Sequence, residues 1–552
     1  MQSVDTSARS ALLSDRLRNE LQLHPHLGAG NFVQIAYNVN PNREVVNIFL
    51  HCPFKTFYGE IIKEFSIQTL KETANYYASW YLRQGVKAKD PVGVYFDEGG
   101  KYLVHYVALT SIGAIPILTN GAMATSVAAL HFKKTGAVGV FTDDARYGDL
   151  LKEISDTELL FLVSDNHIEN KTKTPLPKDF QFEHDDKDPV MITHSSGTTG
   201  VPKAVLLQHA KWFHGIRHLL GLPPAQGINR YLSSLPSSHN ASIAYAIHAI
   251  LNGSELVIMS DRSGVAVASA IEQYKPSTVV SFPQTFVELS ELDPDEYDLN
   301  SVSIWINSGD AAHETHIRKL VRHGFHYRGE QRIQGSQFID GLGSSEMGHS
   351  SFRIIHTLFT NNYDRCVGLQ QKWVEAAILD EKGYEVPQGS VGRLGIKSES
   401  ITDGYWNDSV LTHRSRLRGY FLTGDLAYKD HLGCFYHVDR VSDAVLTKDG
   451  WFYTLQNEEL LMKHHPEIAD CTIVGIPGVE GKQEPVVFVR LINDEGPDAE
   501  EYLEKLNATL HAKGRPLLSK LQWVWENDVP VGITGKVLKQ ALRQRLNETI
   551  SC

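Results

Sequence analysis

Cysteine is scarce in this sequence. Five residues among 552 (Cys52, Cys366, Cys434, Cys471 and Cys552) are scattered, odd in number and never form a Cys-x-x-Cys pair, which argues against a disulfide scaffold and a thiolate zinc site. Long apolar runs are missing as well. The longest, residues 106–118 (YVALTSIGAIPIL), is interrupted by Thr, Ser and Gly and is too short to span a bilayer. The opening MQSVDTSARSALLSDRL mixes charge with apolar residues and has no secretory core. No membrane span is expected, and the expected location is cytoplasmic. Positive charge is in deficit, with 53 Lys plus Arg against 65 Asp plus Glu and a net charge of −12, so nucleic acid is not an expected partner. Absent too are the Gly-x-x-x-x-Gly-Lys, Gly-x-Ser-x-Gly, Gly-x-Gly-x-x-Gly and His-Glu-x-x-His patterns. A Walker-type nucleotidase, a serine hydrolase of the elbow type, a dinucleotide fold and a zinc protease therefore each lack their motif.

The pattern that is present alternates. Residues 66–85 carry apolar side chains at helical spacing and stop at Gly85; PVGVYF reads as a buried strand, KYLVHYVALTSIG as a second helix and AIPIL as a second strand. Short β-rich runs ending in a turn residue or an acid recur in AVGVFTDD, ELLFLVSD, ELVIMSD, STVVSF and SIWINSGD. This spacing predicts an α/β fold: a large layered N-terminal domain with mainly parallel sheets that deliver polar groups at their carboxyl ends. After residue 439 the pattern becomes helix, strand, strand, helix, helix, a compact α+β unit. The expected division is 1–439 for the large domain and 440–552 for the small one.

One segment stands out chemically. HSSGTTGVPKAV, residues 194–205, holds Ser195, Ser196, Thr198 and Thr199, the glycines Gly197 and Gly200, and Lys203. Small residues let backbone N–H groups approach an anion, and hydroxyls and a lysine add donors, which is what a polyphosphate grip requires.

SSGTTGVPK resembles the phosphate-binding signature of the adenylate-forming superfamily, which includes acyl-CoA synthetases, nonribosomal adenylation domains and firefly luciferase. The resemblance continues in the family's order. LPSSH (235–239) is similar to its LPxFH segment and ends in His239, a wall beside the acyl substrate. SGDAAH (308–313) matches the segment that lays Gly309, Asp310 and Ala311 along the adenine. DGLGSSEMG (340–348) resembles the YGxTE motif: Leu342 replaces the usual aromatic, Gly343 and Ser344 follow, Ser345 takes the phosphate-contacting Thr position, and Glu346 the position that holds Mg²⁺. YFLTGDLAYKD (420–430) supplies Asp425 for the ribose hydroxyls, and FYHVDR supplies Arg440. VGITGKVLKQ carries Lys536 at the position of the C-terminal catalytic lysine. Three positions depart from the family: Leu342, Asp439 where a Gly is usual, and Ser442 at the hinge.

The resemblance implies that R–COO⁻ and ATP give R–CO–AMP and pyrophosphate, with Lys536, His239 and Glu346 as catalytic residues. It implies a small domain that rotates between this step and acyl transfer. His239, Asn240, Ser242, Gly341, Met347 and Gly348 are the expected substrate pocket. Asn240 stands where amino-acid-activating relatives place an Asp for the α-ammonium, and a neutral Asn suits a plain carboxylic acid. Coenzyme A is the leading acceptor. Alternatives are a stand-alone enzyme that passes its acyl group to the phosphopantetheine of a carrier protein in trans or to an amine, and a catalytically weak nucleotide-binding relative.

Overall fold

The computed structural model describes residues 10–177, 180–195, 202–222, 229–293, 295–309, 312–361, 363–493, 496–525, 528–530 and 537–550. Its first layered unit begins with the helix Ile67–Arg83. Ser66 caps it in a reciprocal box: Ser66 Oγ accepts from the Thr69 N–H at 3.1 Å, and Thr69 Oγ1 accepts from the Ser66 N–H at 2.8 Å. Two otherwise orphaned donors are satisfied in this way. The helix buries Ile67, Leu70, Ala74, Tyr77, Ala78 and Tyr81, and packs on the helix Lys101–Ser111.

The strands expected from the short apolar runs form two sheets. A six-stranded sheet runs in the order Phe161–Val163, Gly139–Thr142, Pro91–Tyr95, Ile115–Thr119, Pro189–Ser195, Lys203–Gln208. Its pairings are parallel except the last, a hairpin whose register sets Ser195 opposite Lys203. Pro91–Tyr95 and Ile115–Thr119 are apolar almost throughout because helices cover both faces. A 14-stranded sheet holds a parallel block of Val46–Lys55, Glu255–Ile258, Arg230–Ser233, Thr278–Ser281, Ile304–Asn307 and Gln337–Asp340. From Asp340 onward the same sheet continues antiparallel through Phe352–His356, Cys366–Gln370, Phe435–Arg440, Tyr420–Lys429, Gly392–Ser398 and Val374–Leu379. Parallel strands need long crossovers. After residue 340 the helical crossovers cease, and hairpin and loop connections take over.

The last strand of the long sheet ends at Arg440. Beyond it lie the hairpin Val445–Thr447 with Gly450–Phe452, the helix Thr454–His464, and a three-stranded sheet of Ile468–Pro477, Gln483–Leu491 and Lys520–Trp523. Helices Ala499–Ala512 and Lys539–Ile550 follow the expected pattern. The unit has its own core, with Phe452, Leu461, Ile473, Val487 and Leu506 nearly inaccessible. In the aromatic run 451–453, Phe452 is core whereas Trp451 stands half exposed. The short strand Lys520–Trp523 was not expected from the sequence; it is held by a parallel pairing with Gln483–Leu491.

Candidate active site

The carboxyl ends of the parallel strands and the antiparallel half of the long sheet enclose a cavity of about 350 Å³. The hairpin Pro189–Ser195 / Lys203–Gln208 brings Ser195 and Lys203 to its wall. Residues 196–200, between them, lie outside the described residues, as do Asp310, Ala311 and Lys536. Lys203 Nζ stands 5.8 Å from the centre of the Tyr405 ring.

Glu346 sits on the tight turn Ser345–Met347 and is 7% exposed. Its Oε1 accepts from Ser195 Oγ at 3.2 Å and from Tyr405 OH at 3.0 Å. Among the described residues no basic side chain pairs with it, so a buried carboxylate is solvated only by neutral hydroxyls. That donor set is one positive charge short, and it fits a divalent cation completed by phosphate oxygens and water. No cluster of three or more metal-ligating side chains occurs among the described residues. The glycines of this segment are there for space. A Cβ on Gly341 would lie 2.2 Å from the Phe352 carbonyl oxygen, and one on Gly343 would lie 2.9 Å from Ser350 Cα. Asp340 anchors the turn: its carboxylate accepts from Asn307 Nδ2 at 2.9 Å and from the backbone N–H groups of Gly341 at 2.8 Å and Ala312 at 3.2 Å. Burial pushes the Asp340 carboxyl up to about 6.

Asp425 and Arg440 lie opposite one another on adjacent antiparallel strands. Arg440 Nη1 donates to Asp425 Oδ1 at 2.7 Å, and His437 Nε2 is 3.3 Å from the same oxygen. Burial pushes this carboxyl upward, but Arg440 and His437 outweigh it and hold Asp425 well below the usual carboxylate range. Asp425 is therefore a permanent anion with one face buried on basic groups, suited to accept from a diol.

Another wall of the cavity is formed by the start of the helix Asn240–Asn252. His239 lies just before it; its Nδ1 accepts from the Ala241 N–H at 3.1 Å and its ring meets Phe282 edge-on at 5.1 Å. Asn240 Oδ1 accepts from Ser345 Oγ at 3.1 Å, which ties the helix start to the Glu346 turn. Asn240, Ala241, Ala244 and Tyr245 line the cavity. Ser242 does not, because two residues along a helix turns it to the other face, where it is 8% exposed. Met347 also departs from expectation: it packs with Leu342, Phe352 and Val367 in an apolar cluster and does not line the cavity. Gly309, Gly341, Leu342, Gly343, Ser344, Ser345 and Gly348 do line it.

Several lining residues were not foreseen from the sequence: Tyr405, Arg393, Arg414, Tyr245 and His349. Each lies outside the motifs or at the edge of one, so only tertiary proximity reveals it. Arg393 and Arg414 have no ion-pair partner among the described residues. With Lys203 and Arg440 they make the cavity wall basic in an acidic chain.

Asp439, one of the three departures from the family, is 0% exposed and faces away from the cavity. It caps the helix Thr454–His464: its carboxylate accepts from the Thr454 N–H and, at 3.1 Å, from Thr454 Oγ1. At the next departure the chain turns tightly, with the Arg440 carbonyl accepting from the N–H groups of Asp443 and Ala444.

The cavity thus joins basic side chains to two buried carboxylates, Asp425 and Glu346. The chain belongs to the family of AMP-binding enzymes, whose model matches residues 39–406. It is 40% identical over 489 residues to a 3-aminoavenalumate diazotase from a Streptomyces species, covering 85% of this chain and 87% of that one. It is 24% identical over 534 residues to 4-coumarate:CoA ligase 1 from Petunia hybrida, covering 90% and 94%. In fold it is similar to the anthranilate CoA ligase AuaEII in complex with anthranoyl-AMP, at TM-score 0.82 and 18% identity over 98% of this chain and all of the other. The amide bond synthetase McbA from Marinactinospora thermotolerans follows at TM-score 0.77 and 19% identity, covering 94% and 99%. The chain is thus an AMP-forming ligase that binds ATP, and its first step is ATP-dependent activation of an acid as an acyl-adenylate with release of pyrophosphate. No described helix is long and apolar enough to cross a membrane.

Proposed function

We propose that the activated acyl group is delivered to the amino group of an aromatic acid, and that the acid activated is nitrous acid, whose acyl group is nitrosyl. The observation that carries this reading is the 40% identity, across most of both chains, to an enzyme named for diazotising an amino-substituted carboxylate; the CoA ligases match at 23–27%. Diazotisation needs nitrogen already at the nitrite level, and adenylation turns nitrite into an electrophile as it does a carboxylate. Nitrite oxygen attacks the α-phosphate of ATP and pyrophosphate leaves. The amine then attacks the nitrosyl nitrogen; the N–N bond forms, the N–O bond to AMP breaks, and AMP and a proton depart. The resulting Ar–NH–N=O tautomerises to Ar–N=N–OH, takes up a proton and loses water to give the diazonium ion. No electrons are gained or lost overall. An aryl amine is required because alkyl diazonium ions lose nitrogen at once.

Two anions must meet in the first step. At 4 Å and an effective dielectric near 20 their repulsion is about 4 kcal/mol, so catalysis rests on cations and oriented donors. Ser195, residues 196–200 and Lys203 would hold the β,γ-phosphates, Glu346 would hold Mg²⁺ against them, and Asp425 with Arg440 would anchor the ribose. His239 would wall the reacting group. Lys536 would bridge the attacking oxygen and the α-phosphate from a small domain of residues 440–552 that docks for adenylation and swings away for transfer. The setting would be the cytoplasm.

A second reading, supported by the CoA ligases among the relatives, is acyl transfer from a carboxylic acid to coenzyme A or to a carrier protein's phosphopantetheine thiol. One assay separates the two: AMP release with ATP and Mg²⁺, given either nitrite plus an aryl amine or a carboxylic acid panel with and without coenzyme A. Nitrite-dependent AMP release, with the diazonium trapped by azo coupling, is expected. AMP release that needs a carboxylic acid and coenzyme A and ignores nitrite overturns the first reading.

A further inference from the structure

The Glu346 carboxylate has two oxygens, and its hydrogen bonds fall on one of them. Ser195 Oγ at 3.2 Å and Tyr405 OH at 3.0 Å both donate to Oε1. Among the described residues none donates to Oε2. A carboxylate held by one oxygen presents the other in a fixed direction, and the partners of a metal ligand set how well it binds. The two donors have different origins. Ser195 belongs to the segment 194–205, whereas Tyr405 comes from a stretch outside the motifs read from the sequence.

The backbone around Tyr405 is fixed to both of the elements it serves. Residues 404–406 run antiparallel along the outer edge of Lys203–Gln208, the last strand of the six-stranded sheet. The Leu206 N–H donates to the Gly404 carbonyl at 3.2 Å, and the Trp406 N–H to the Ala204 carbonyl at 2.8 Å. Three residues before the tyrosine, the Thr402 N–H donates to the Glu346 carbonyl at 2.9 Å. The Tyr405 N–H itself donates to Thr412 Oγ1 at 2.9 Å. One short segment thus joins the strand that starts at Lys203 to the turn that carries Glu346. Its tyrosine is buried in the cavity wall, with the hydroxyl on Glu346 and the ring facing Lys203 Nζ.

We propose that Tyr405 is a positioning residue: its hydroxyl holds Oε1 of Glu346 so that Oε2 is aimed at a divalent cation bound with ATP. The inference deepens the reading of Glu346 as the Mg²⁺ ligand and rests on it. The tyrosine takes no part in the chemistry. A glutamate must order its side-chain torsions before it can bind a metal. A hydrogen bond from a rigid ring on an edge-paired segment orders them in advance.

The test is the metal dependence of nucleotide binding, read without turnover. Dissociation constants for α,β-methylene-ATP, whose carbon bridge blocks release of pyrophosphate, would be measured by calorimetry with saturating Mg²⁺ and with EDTA. The wild-type chain, Tyr405→Phe, Glu346→Gln and the double variant would be compared, with folding checked by circular dichroism. Tyr405→Phe keeps the ring and removes only the hydroxyl. Loss of a partner that orients a metal ligand costs roughly 10–100-fold in metal affinity. Tyr405→Phe should therefore reduce the Mg²⁺ enhancement of binding by roughly tenfold or more, with the metal-free affinity unchanged. In the double variant the tyrosine change should add nothing to Glu346→Gln, because the two residues act as one unit. Should the Phe variant not fold, Tyr405→Met, apolar and adaptable, carries the same expectation. An unchanged enhancement in Tyr405→Phe overturns the proposal. So does an equal loss of affinity with and without Mg²⁺, which is what a merely structural tyrosine would give. Failure of the parent reading looks different: Glu346→Gln and the wild type then show the same enhancement, or neither shows any, and the proposal falls with it.

Discussion

At the scale of single residues, the site is built from acids whose neighbours set their charge. Asp425 shows this in its strongest form. Burial alone would favour the neutral carboxyl, yet Arg440 and His437 keep it ionised. Its folded-state pKa lies below its unfolded value near 3.9, so the stabilisation it contributes is present above about pH 4 and is lost as pH falls further. Asp425→Asn should therefore unfold at lower urea concentration than wild type at pH 7, and the difference should shrink below about pH 4. If Asp425 anchors the ribose as proposed, the same variant should raise the KM for ATP by roughly tenfold or more, since a charged acceptor is lost. Urea titrations at the two pH values and adenylation kinetics check both halves. Glu346, by contrast, accepts from two neutral hydroxyls, of Ser195 and Tyr405, among the described residues.

At the scale of elements, Asp439 joins the two halves of the chain. It is the second-last residue of the strand Phe435–Arg440 and caps the helix Thr454–His464 beyond it. Burial pushes its carboxyl up to about 6, with Lys539 acting against that shift and Glu458 adding to it. A folded-state pKa above the unfolded one means that the contribution is fully present below about pH 4 and is lost as pH rises through about 6. Asp439→Asn keeps an acceptor for Thr454 but cannot ionise, so its stability should vary less than wild type between pH 4 and 7. Asp439→Ala removes the cap and should cost about 1–2 kcal/mol. Chemical denaturation of the three proteins across that range is the measurement. The sequence showed Asp439 only as a departure from the family pattern. That it is a helix cap depends on residue 454, fifteen positions away, and no local pattern contains that contact.

At the scale of the whole molecule, the proposed chemistry requires groups from both ends of the chain. If Lys536 reaches the α-phosphate from the small domain, Lys536→Ala should slow adenylation by roughly 10²–10³-fold, as loss of one preorganised donor does elsewhere. Transfer from a preformed adenylate should be much less affected. ATP–pyrophosphate exchange, compared with single-turnover transfer, reads the two steps apart, and wild-type exchange in the variant would sink the assignment. The net charge of −12 also acquires a local meaning here. The cavity wall is lined by Lys203, Arg393, Arg414 and Arg440, so an acidic chain presents a basic site to its anionic substrates.

The sequence by itself determined the fold class, the alternation of helices and strands from residue 66 to 118, and the segments around the cavity. Period and turn chemistry are local properties, and motifs such as residues 194–205 and 340–348 keep their spacing in one stretch of chain. Ser195 and Lys203 belong to one such motif, and the structure joins them in a hairpin. Only the tertiary structure decided which side chains face inward. It turned Ser242 and Met347 away from the cavity and brought Tyr405 onto Glu346. The reason is physical: what a side chain touches is set by the packing of elements distant in the chain, and both the burial that pushes Asp340 and Asp439 up and the Arg440 and His437 contacts that hold Asp425 down exist only once those elements have come together.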